Sequence, residues 1–300
     1  MKAAAFDYLK PSSIEQAIEL LAKSGESAKV LAGGQTLIPM MAFRMAQPTA
    51  LIDLNGIDGL SYIREQGETL AIGALTRHRD VERSELVGRH CPLLAQAIRL
   101  VAHPVIRNRG TAGGSLSHAD PAAEWPTVAM ALGAELVLRS ERGVRSVPAH
   151  DFFTSLLTTA LMPDEILVEI RIPKIRKRAR AAFLEVSRRH GDFALVSVAI
   201  QIGLSVSGEV DEVALALGGV DTIPIDASPT AQMMVGCRFG EVRFHQVARA
   251  IAHGLSPSDD IHASAEYRRD VAEGLIVRAL TQLSDSFEGH NGQGRNPTSR

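Results

Sequence analysis

The chain has 300 residues, 45% of them hydrophobic and 22% charged, and a net charge of −2. That length and balance fit a globular protein with two or three modest cores, and give no electrostatic reason to bind nucleic acid or an acidic membrane. The N-terminal Met1-Lys2-Ala3-Ala4-Ala5-Phe6 lacks the pattern of a secretory leader, and no apolar stretch is long enough to span a bilayer. Cys91 and Cys237, the only cysteines, can neither build a disulfide scaffold nor supply the thiolate set of an iron–sulfur cluster, so a cytoplasmic protein is expected.

Ser12 with Glu15 three residues on has the form of a capping box, and Ile14, Ala17, Ile18 and Leu21 then line one face of a helix closed by Gly25. Residues 28–32 and 51–54 read as short buried strands, so the chain begins with a small βαβ-like unit. Residues 60–64 and 69–73 are expected to pair as a hairpin about Gln66-Gly67-Glu68, with helices at 76–82 and 92–101. Asp120-Pro121 resembles an N-cap followed by proline at the first helical position, opening a helix that stops at Gly133. A second hairpin is expected from 135–139 and 144–147. The alternation of Ile166, Val168, Ile170 and Ile172 predicts a half-buried strand ended by Pro173.

The run Lys174-Ile175-Arg176-Lys177-Arg178-Ala179-Arg180 is the sharpest shift in composition and reads as a solvated linker, a partner patch being the alternative. Three apolar runs follow, at 181–186, 196–204 and 213–217, with a turn at Ser207-Gly208. They predict a three-stranded sheet, then helices at about 228–235, 241–253 and 267–285, and a mobile polar tail at 287–300.

Two glycine pairs far apart in sequence carry the chemistry. The first lies in Ala32-Gly33-Gly34-Gln35-Thr36, the second in Gly110-Thr111-Ala112-Gly113-Gly114-Ser115. Glycine turns let a ligand approach the backbone, and successive amides in such turns bind anions. The hydroxyls of Thr36, Thr111 and Ser115 add further donors. Two such loops suggest a ligand with two phosphates and a long body, a dinucleotide; two tight turns without a ligand are the plain alternative. A Rossmann fingerprint is not met, because the third glycine and the ribose-binding acid are missing, and neither pair is followed by the lysine of a P-loop. His118 close to Asp120 fits a metal site, a base or a structural role beside the helix cap. His78, His90, His103, His150, His190 and His245 have no metal-ligand spacing. Glu124, one turn into its expected helix, is placed to meet sugar hydroxyls or the helix dipole. No serine elbow, carboxylate pair or Cys–His pattern stands out, so the chain looks built to hold a cofactor rather than to transform a substrate.

These segments, Ala32-Gly33-Gly34-Gln35-Thr36-Leu37-Ile38-Pro39, Ile106 through Leu116, and His118-Ala119-Asp120-Pro121-Ala122-Ala123-Glu124, resemble the FAD-binding medium subunit of molybdenum hydroxylases. That group includes aerobic carbon monoxide dehydrogenase, nicotine dehydrogenase and xanthine-dehydrogenase-like enzymes. Ile72-Gly73-Ala74-Leu75-Thr76, Asp164-Glu165-Ile166-Leu167 and Arg188-Arg189-His190-Gly191-Asp192-Phe193-Ala194 match as well, and the resemblance covers residues 1–285.

The resemblance implies an α+β fold: a vanillyl-alcohol-oxidase-type (PCMH-type) FAD-binding domain at 1–175, in subdomains of about 1–57 and 58–175. A carbon monoxide dehydrogenase flavoprotein-like domain, with a three-stranded antiparallel sheet and helices, would follow at 176–286. It implies FAD as cofactor. Ala32, Gly33, Gly34, Gln35, Thr36, Thr111, Gly113, Gly114 and Ser115 would hold the pyrophosphate and its neighbourhood. Leu37, Thr76 and His118 would belong to the same set, Asp120 and Glu124 would meet the sugar-like parts, Leu167 would lie near the ring system and Phe193 close to the isoalloxazine.

No catalytic residue or metal ligand is implied on this chain. The partners implied are a large molybdenum-cofactor subunit that oxidises substrate and a small [2Fe-2S] subunit that relays electrons, in a dimer of heterotrimers. Three departures stand out. The family often has aspartate at Glu124, tyrosine at Phe193 and a lysine near Leu184-Glu185, and Glu185 receives no role. Two rival readings are a self-contained flavin oxidase or reductase, with its base from His78, His118 or His190, and a scaffold subunit without cofactor.

Overall fold

Three hydrophobic clusters, each under its own sheet, organise the computed structural model, which describes residues 2–292. The first sheet is parallel, with Ala50–Asp53 between Asp7–Leu9 and Ala28–Leu31. Parallel strands cannot be joined by a tight turn; helix Ile14–Ser24 links the two outer strands, burying Ala17, Ile18 and Leu21, and the segment with Leu37–Ala42 leads on to the central one. Its cap is Ser13, one residue later than expected. Ser13 Oγ accepts from the Gln16 amide at 3.2 Å, while Gln16 Oε1 takes the Ser12 N–H at 2.7 Å. The box closes through Gln16 because Glu15 turns outward to Arg139, 2.6 Å away.

The second sheet is antiparallel throughout, in the order Ile63–Gln66, Thr69–Gly73, Ile166–Pro173, Glu135–Ser140, Gly143–Pro148. Both expected hairpins are here, and the alternating strand lies at the centre. A bulge between Leu167 and Glu169 interrupts it, and the Val168 carbonyl takes the Ala74 amide at 3.0 Å. Against this sheet pack short helices, among them Glu85–His90, Pro92–Ala97 and Ala112–His118, and the buried helix Glu124–Ala131. That last helix does not open at Asp120-Pro121 as expected. Asp120 Oδ1 instead accepts the Ala122 amide at 2.9 Å in a turn of its own, the usual competitor to capping for a short polar side chain.

The third sheet joins Ala179–Ser187, Ala194–Leu204 and Val210–Gly218 antiparallel, with a two-residue fourth strand, Ile225–Asp226, that was not expected. Because side chains alternate along a strand, the long strands serve two cores. Ala182, Val198, Ile200 and Leu215 pack under helices Glu241–Gly254 and Ala265–Gly292, while Phe183, Ala199 and Ala216 join the core of the second sheet.

The outer strand Ala179–Ser187 is clasped by Gln96, whose Oε1 accepts from the Phe183 amide at 3.0 Å and whose Nε2 donates to the Ala181 carbonyl at 2.9 Å. The basic run before it is held rather than free. The Lys174 amide bonds the Glu68 carbonyl, the Ile175 amide the His90 carbonyl, and Arg176 pairs with Glu212 at 3.1 Å. Helix Ala265–Gly292 continues through the first part of the expected tail, whose residues 293–300 lie outside the described residues. Among the described residues no helix is long and apolar enough to cross a membrane.

The seam between the third sheet and helix Glu124–Ala131 is tight at Gly218. A β-carbon there would stand 2.3 Å from Thr127 Oγ1 and 2.6 Å from Ser197 Oγ. Gly218→Ala should therefore cost about 1–3 kcal/mol, as overpacking does, and Thr127→Ala in the same chain should recover part of it. Urea denaturation of the single and double variants measures both effects.

Candidate functional site

The first glycine pair follows strand Ala28–Leu31, turns at Gly34 with φ +72°, and enters the short helix Leu37–Ala42. Among the described residues, the amides of Gly33, Gly34, Gln35, Thr36 and Leu37 donate to no protein acceptor, and the Thr36 hydroxyl makes no hydrogen bond. Gln35 folds back, its Nε2 donating to the Gly33 carbonyl at 3.1 Å. A run of bare amides at a turn is an anion-binding concavity.

The second pair is different from what the sequence suggests. Its amides are used inside the protein. Ala112 donates to the Thr76 carbonyl at 3.0 Å, Gly113 to the Ala74 carbonyl at 2.8 Å, Gly114 to Thr111 Oγ1 at 3.1 Å and Ser115 to the Thr111 carbonyl at 3.1 Å. Thr111 is thus the cap of helix Ala112–His118. Glycine is required here by proximity, since a β-carbon on Gly113 would lie 2.6 Å from that of Ala74. What this loop presents are side chains: among the described residues the Ser115 hydroxyl and the half-buried His118 ring have no hydrogen-bond partner.

The two loops meet backbone to backbone. A β-carbon on Gly33 would stand 2.4 Å from the Arg109 carbonyl oxygen and 2.8 Å from Gly110 Cα. Residues that the sequence reading passed over hold this contact. Asn55 Nδ2 donates to the Ala32 carbonyl at 2.7 Å, and Arg77 bonds Asn55 Oδ1 at 2.6 Å and the Arg109 carbonyl. Asn55 is itself fixed by Asp53, which also receives the Tyr8 hydroxyl. Behind the second loop the buried Arg107 grips Glu82 with two bonds, at 3.0 and 3.2 Å, and the carbonyls of Val101 and Ala102. Its place in the Arg107-Asn108-Arg109 motif was the available signal.

His78 is buried against Gly110 and accepts the Trp125 indole N–H at 3.1 Å. Burial, with Arg107 and Arg77 nearby, pushes its pKa down to about 4, so it is neutral and enclosed. It cannot serve the oxidase reading as a base. Thr76, also buried, is engaged by both the amide and the carbonyl of Tyr62. Leu167 is buried in the central core.

Helix Ala112–His118, about 10 Å long at the usual rise, separates the glycine loops from Asp120 and Glu124. Glu124 is only 5% exposed, and among the described residues its carboxyl meets no group beyond its own backbone amide. Burial, reinforced by Asp120, pushes it up to about 7. Glu185, on the outer strand of the third sheet, is pushed up to about 8 by burial and by Glu124, and its Oε2 is buried without a partner. Phe193 stands exposed on the next loop, which reaches the first domain's side where Gly191, at φ +86°, lies on the His103 ring. The expected site residues therefore fall into two loops in backbone contact, a polar pair at Asp120 and Glu124, two buried residues, Thr76 and Leu167, and the exposed Phe193 of the C-terminal part.

Residues 4–175 match the family model described as the FAD binding domain in molybdopterin dehydrogenase, and residues 181–283 match the CO dehydrogenase flavoprotein C-terminal domain. The chain belongs to the family of FAD-binding medium subunits of molybdenum hydroxylases of the carbon monoxide dehydrogenase type, and FAD is its cofactor. It is 38% identical to the 6-hydroxypseudooxynicotine dehydrogenase complex subunit alpha of Paenarthrobacter nicotinovorans, over 94% of this chain and 95% of that one. A carbon monoxide dehydrogenase structure from Hydrogenophaga pseudoflava superposes with TM-score 0.91 at 37% identity, covering 94% of this chain and 98% of that chain. Quinoline 2-oxidoreductase from Pseudomonas putida 86 gives 0.91 at 35% identity, covering 96% and 99%.

Glu124 and Glu185 hold protons in the fold that they would release near pH 4.5 when unfolded. Their stabilising contribution is present in full below that pH and is lost as pH rises through about 7 to 8. Unfolding free energy should fall on the order of 3 kcal/mol between pH 5 and 8.5, and Glu124→Gln should flatten that slope in chemical denaturation series.

Proposed function

We propose that the bare amides from Gly33 to Leu37 hold the FAD pyrophosphate, and that this run is the observation on which the assignment rests. The donor set suits the ligand. Amides without internal acceptors are available to a diphosphate, and the Thr36 and Ser115 hydroxyls, also without partners among the described residues, would add donors. The far end suits sugar hydroxyls, since the buried Glu124 carboxyl is engaged only by its own backbone amide and Asp120 stands just before its helix. Ala32 and Gln35 shape the turn, Gly113 and Gly114 let the second loop close on it, and His118 lies along the path between the two ends. Phe193 would cover the ring from the C-terminal side.

Bound FAD supplies the capacity to collect two electrons and pass them on. This chain's own residues bind it, orient it and keep the diphosphate on rigid backbone. Substrate oxidation belongs to a large molybdenum-cofactor partner and single-electron relay to a small [2Fe-2S] partner. This subunit serves an external acceptor in a cytoplasmic dimer of heterotrimers. Of the three histidines that the oxidase reading would need, His78 is enclosed and neutral.

Gly33→Ala places a methyl on the Arg109 carbonyl and pushes the loops apart. FAD affinity should fall at least about tenfold, a loss of about 1.4 kcal/mol, read as the ratio of flavin to protein absorbance after gel filtration. Full flavin retention in the variant would contradict the cradle.

A further inference from the structure

The C-terminal part touches the first domain at a second place, away from the shared core. Gly191, at φ +86°, lies so close to the His103 ring that a β-carbon on it would stand 2.7 Å from Cε1 and 2.9 Å from Nδ1. Glycine permits both the positive φ and the approach. His190, its neighbour, meets the same ring edge-on, with 6.3 Å between ring centres. Both belong to the loop between Ala179–Ser187 and Ala194–Leu204, which also carries the exposed Phe193. The roots of that loop are fixed within its own domain. Ser187 Oγ donates to the Arg189 carbonyl at 3.0 Å, the Asp192 amide donates to the same carbonyl at 3.1 Å, and the buried Arg268 holds the Leu195 carbonyl. Its tip rests on His103.

His103 is held firmly. Ala102 before it has a φ of +45°, a conformation that costs a non-glycine residue energy, and the buried Arg107 bonds the Ala102 carbonyl at 2.8 Å. The His103 carbonyl accepts the Ile106 and Arg107 amides at 2.9 and 3.0 Å, and the Ile106 carbonyl accepts the Gly110 amide at 2.8 Å. One short piece of chain therefore carries His103 at one end and, at the other, the backbone against which Gly33 lies. We propose that His103 is a positioning residue: its ring seats the Phe193 loop, setting the C-terminal part against the piece of chain that builds the cradle and so placing Phe193 over the flavin ring. The inference rests on Phe193 as the cover of that ring and deepens that reading. His103 touches no ligand in this role. It acts through Gly191, as side chains behind a site commonly fix the groups that face it.

Two measurements on the full chain test this, one of them without flavin. Arg188 and Arg189 are exposed on the loop, so trypsin reports how often it lifts. His103→Ala should be cut there at least about fivefold faster than wild type, and so should Gly191→Ala, which presses on the ring from the other side. Thermal melts of both variants serve as the folding control. The second measurement is iodide quenching of the flavin fluorescence of the FAD-loaded chain, which reads exposure of the ring. Phe193→Ala should raise the quenching constant at least about threefold, and His103→Ala should raise it too. The double variant should exceed Phe193→Ala by less than about 1.5-fold, because a residue that acts through Phe193 has nothing left to act on. Wild-type cleavage in both loop variants, or a His103→Ala effect that adds in full to that of Phe193→Ala, would overturn the proposal and leave the cradle standing. Unchanged quenching in Phe193→Ala would overturn the ring cover and the proposal together, and a wild-type chain that holds no flavin would overturn the cradle as well.

Discussion

Everything at this site depends on a place where two stretches of backbone touch with no side chain between them. Gly33 rests on the Arg109 carbonyl and Gly110 at a distance that no β-carbon tolerates. Among the described residues the amides from Gly33 to Leu37 are left without a protein acceptor. The backbone contact explains the investment around it. Asn55 and Arg77 each hold the carbonyl of one loop and are bonded to each other, so the separation of the loops is set by side chains rigid enough to act as struts. Arg107 anchors the second loop from behind with four further bonds. Precise placement of donors before a ligand arrives lowers the ordering cost of binding.

The two glycine pairs look alike in sequence and work by different physics. In the first, glycine supplies a positive φ and leaves amides free. In the second, the amides are satisfied internally, and glycine only allows Ala74 and Thr111 to come close. One pair leaves donors unused, and the other lets the loops come together. A similar economy runs through the third sheet, whose strands divide their side chains between a core of their own and the core behind the cradle.

Much of this fold was legible because periodicity survives in long elements. The two hairpins, the alternating strand at 166–173 and the three apolar runs of the third sheet all lie close to where their patterns put them. Short helices such as Glu85–His90 and Ala112–His118 were missed, since one or two turns carry no periodic signal. Asp120 misled because a short acidic side chain caps a turn as readily as a helix. At the site, the glycines were visible and their struts were not. Asn55 and Arg77 are ordinary residues until folding brings Ala32 and Arg109 together. The sequence assigns Glu185 no role; only the fold shows its Oε2 buried without a partner among the described residues.

Gln96 has a consequence beyond tethering. An outer strand normally exposes a ladder of unpaired amides and carbonyls, a template on which another chain can add. By occupying the Phe183 amide and the Ala181 carbonyl with a single carboxamide, Gln96 blunts that template midway along Ala179–Ser187. A subunit whose relatives work inside larger assemblies must accept chosen neighbours without polymerising on itself, and a glutamine mimicking one rung of a sheet is an inexpensive guard against fibril-like self-association.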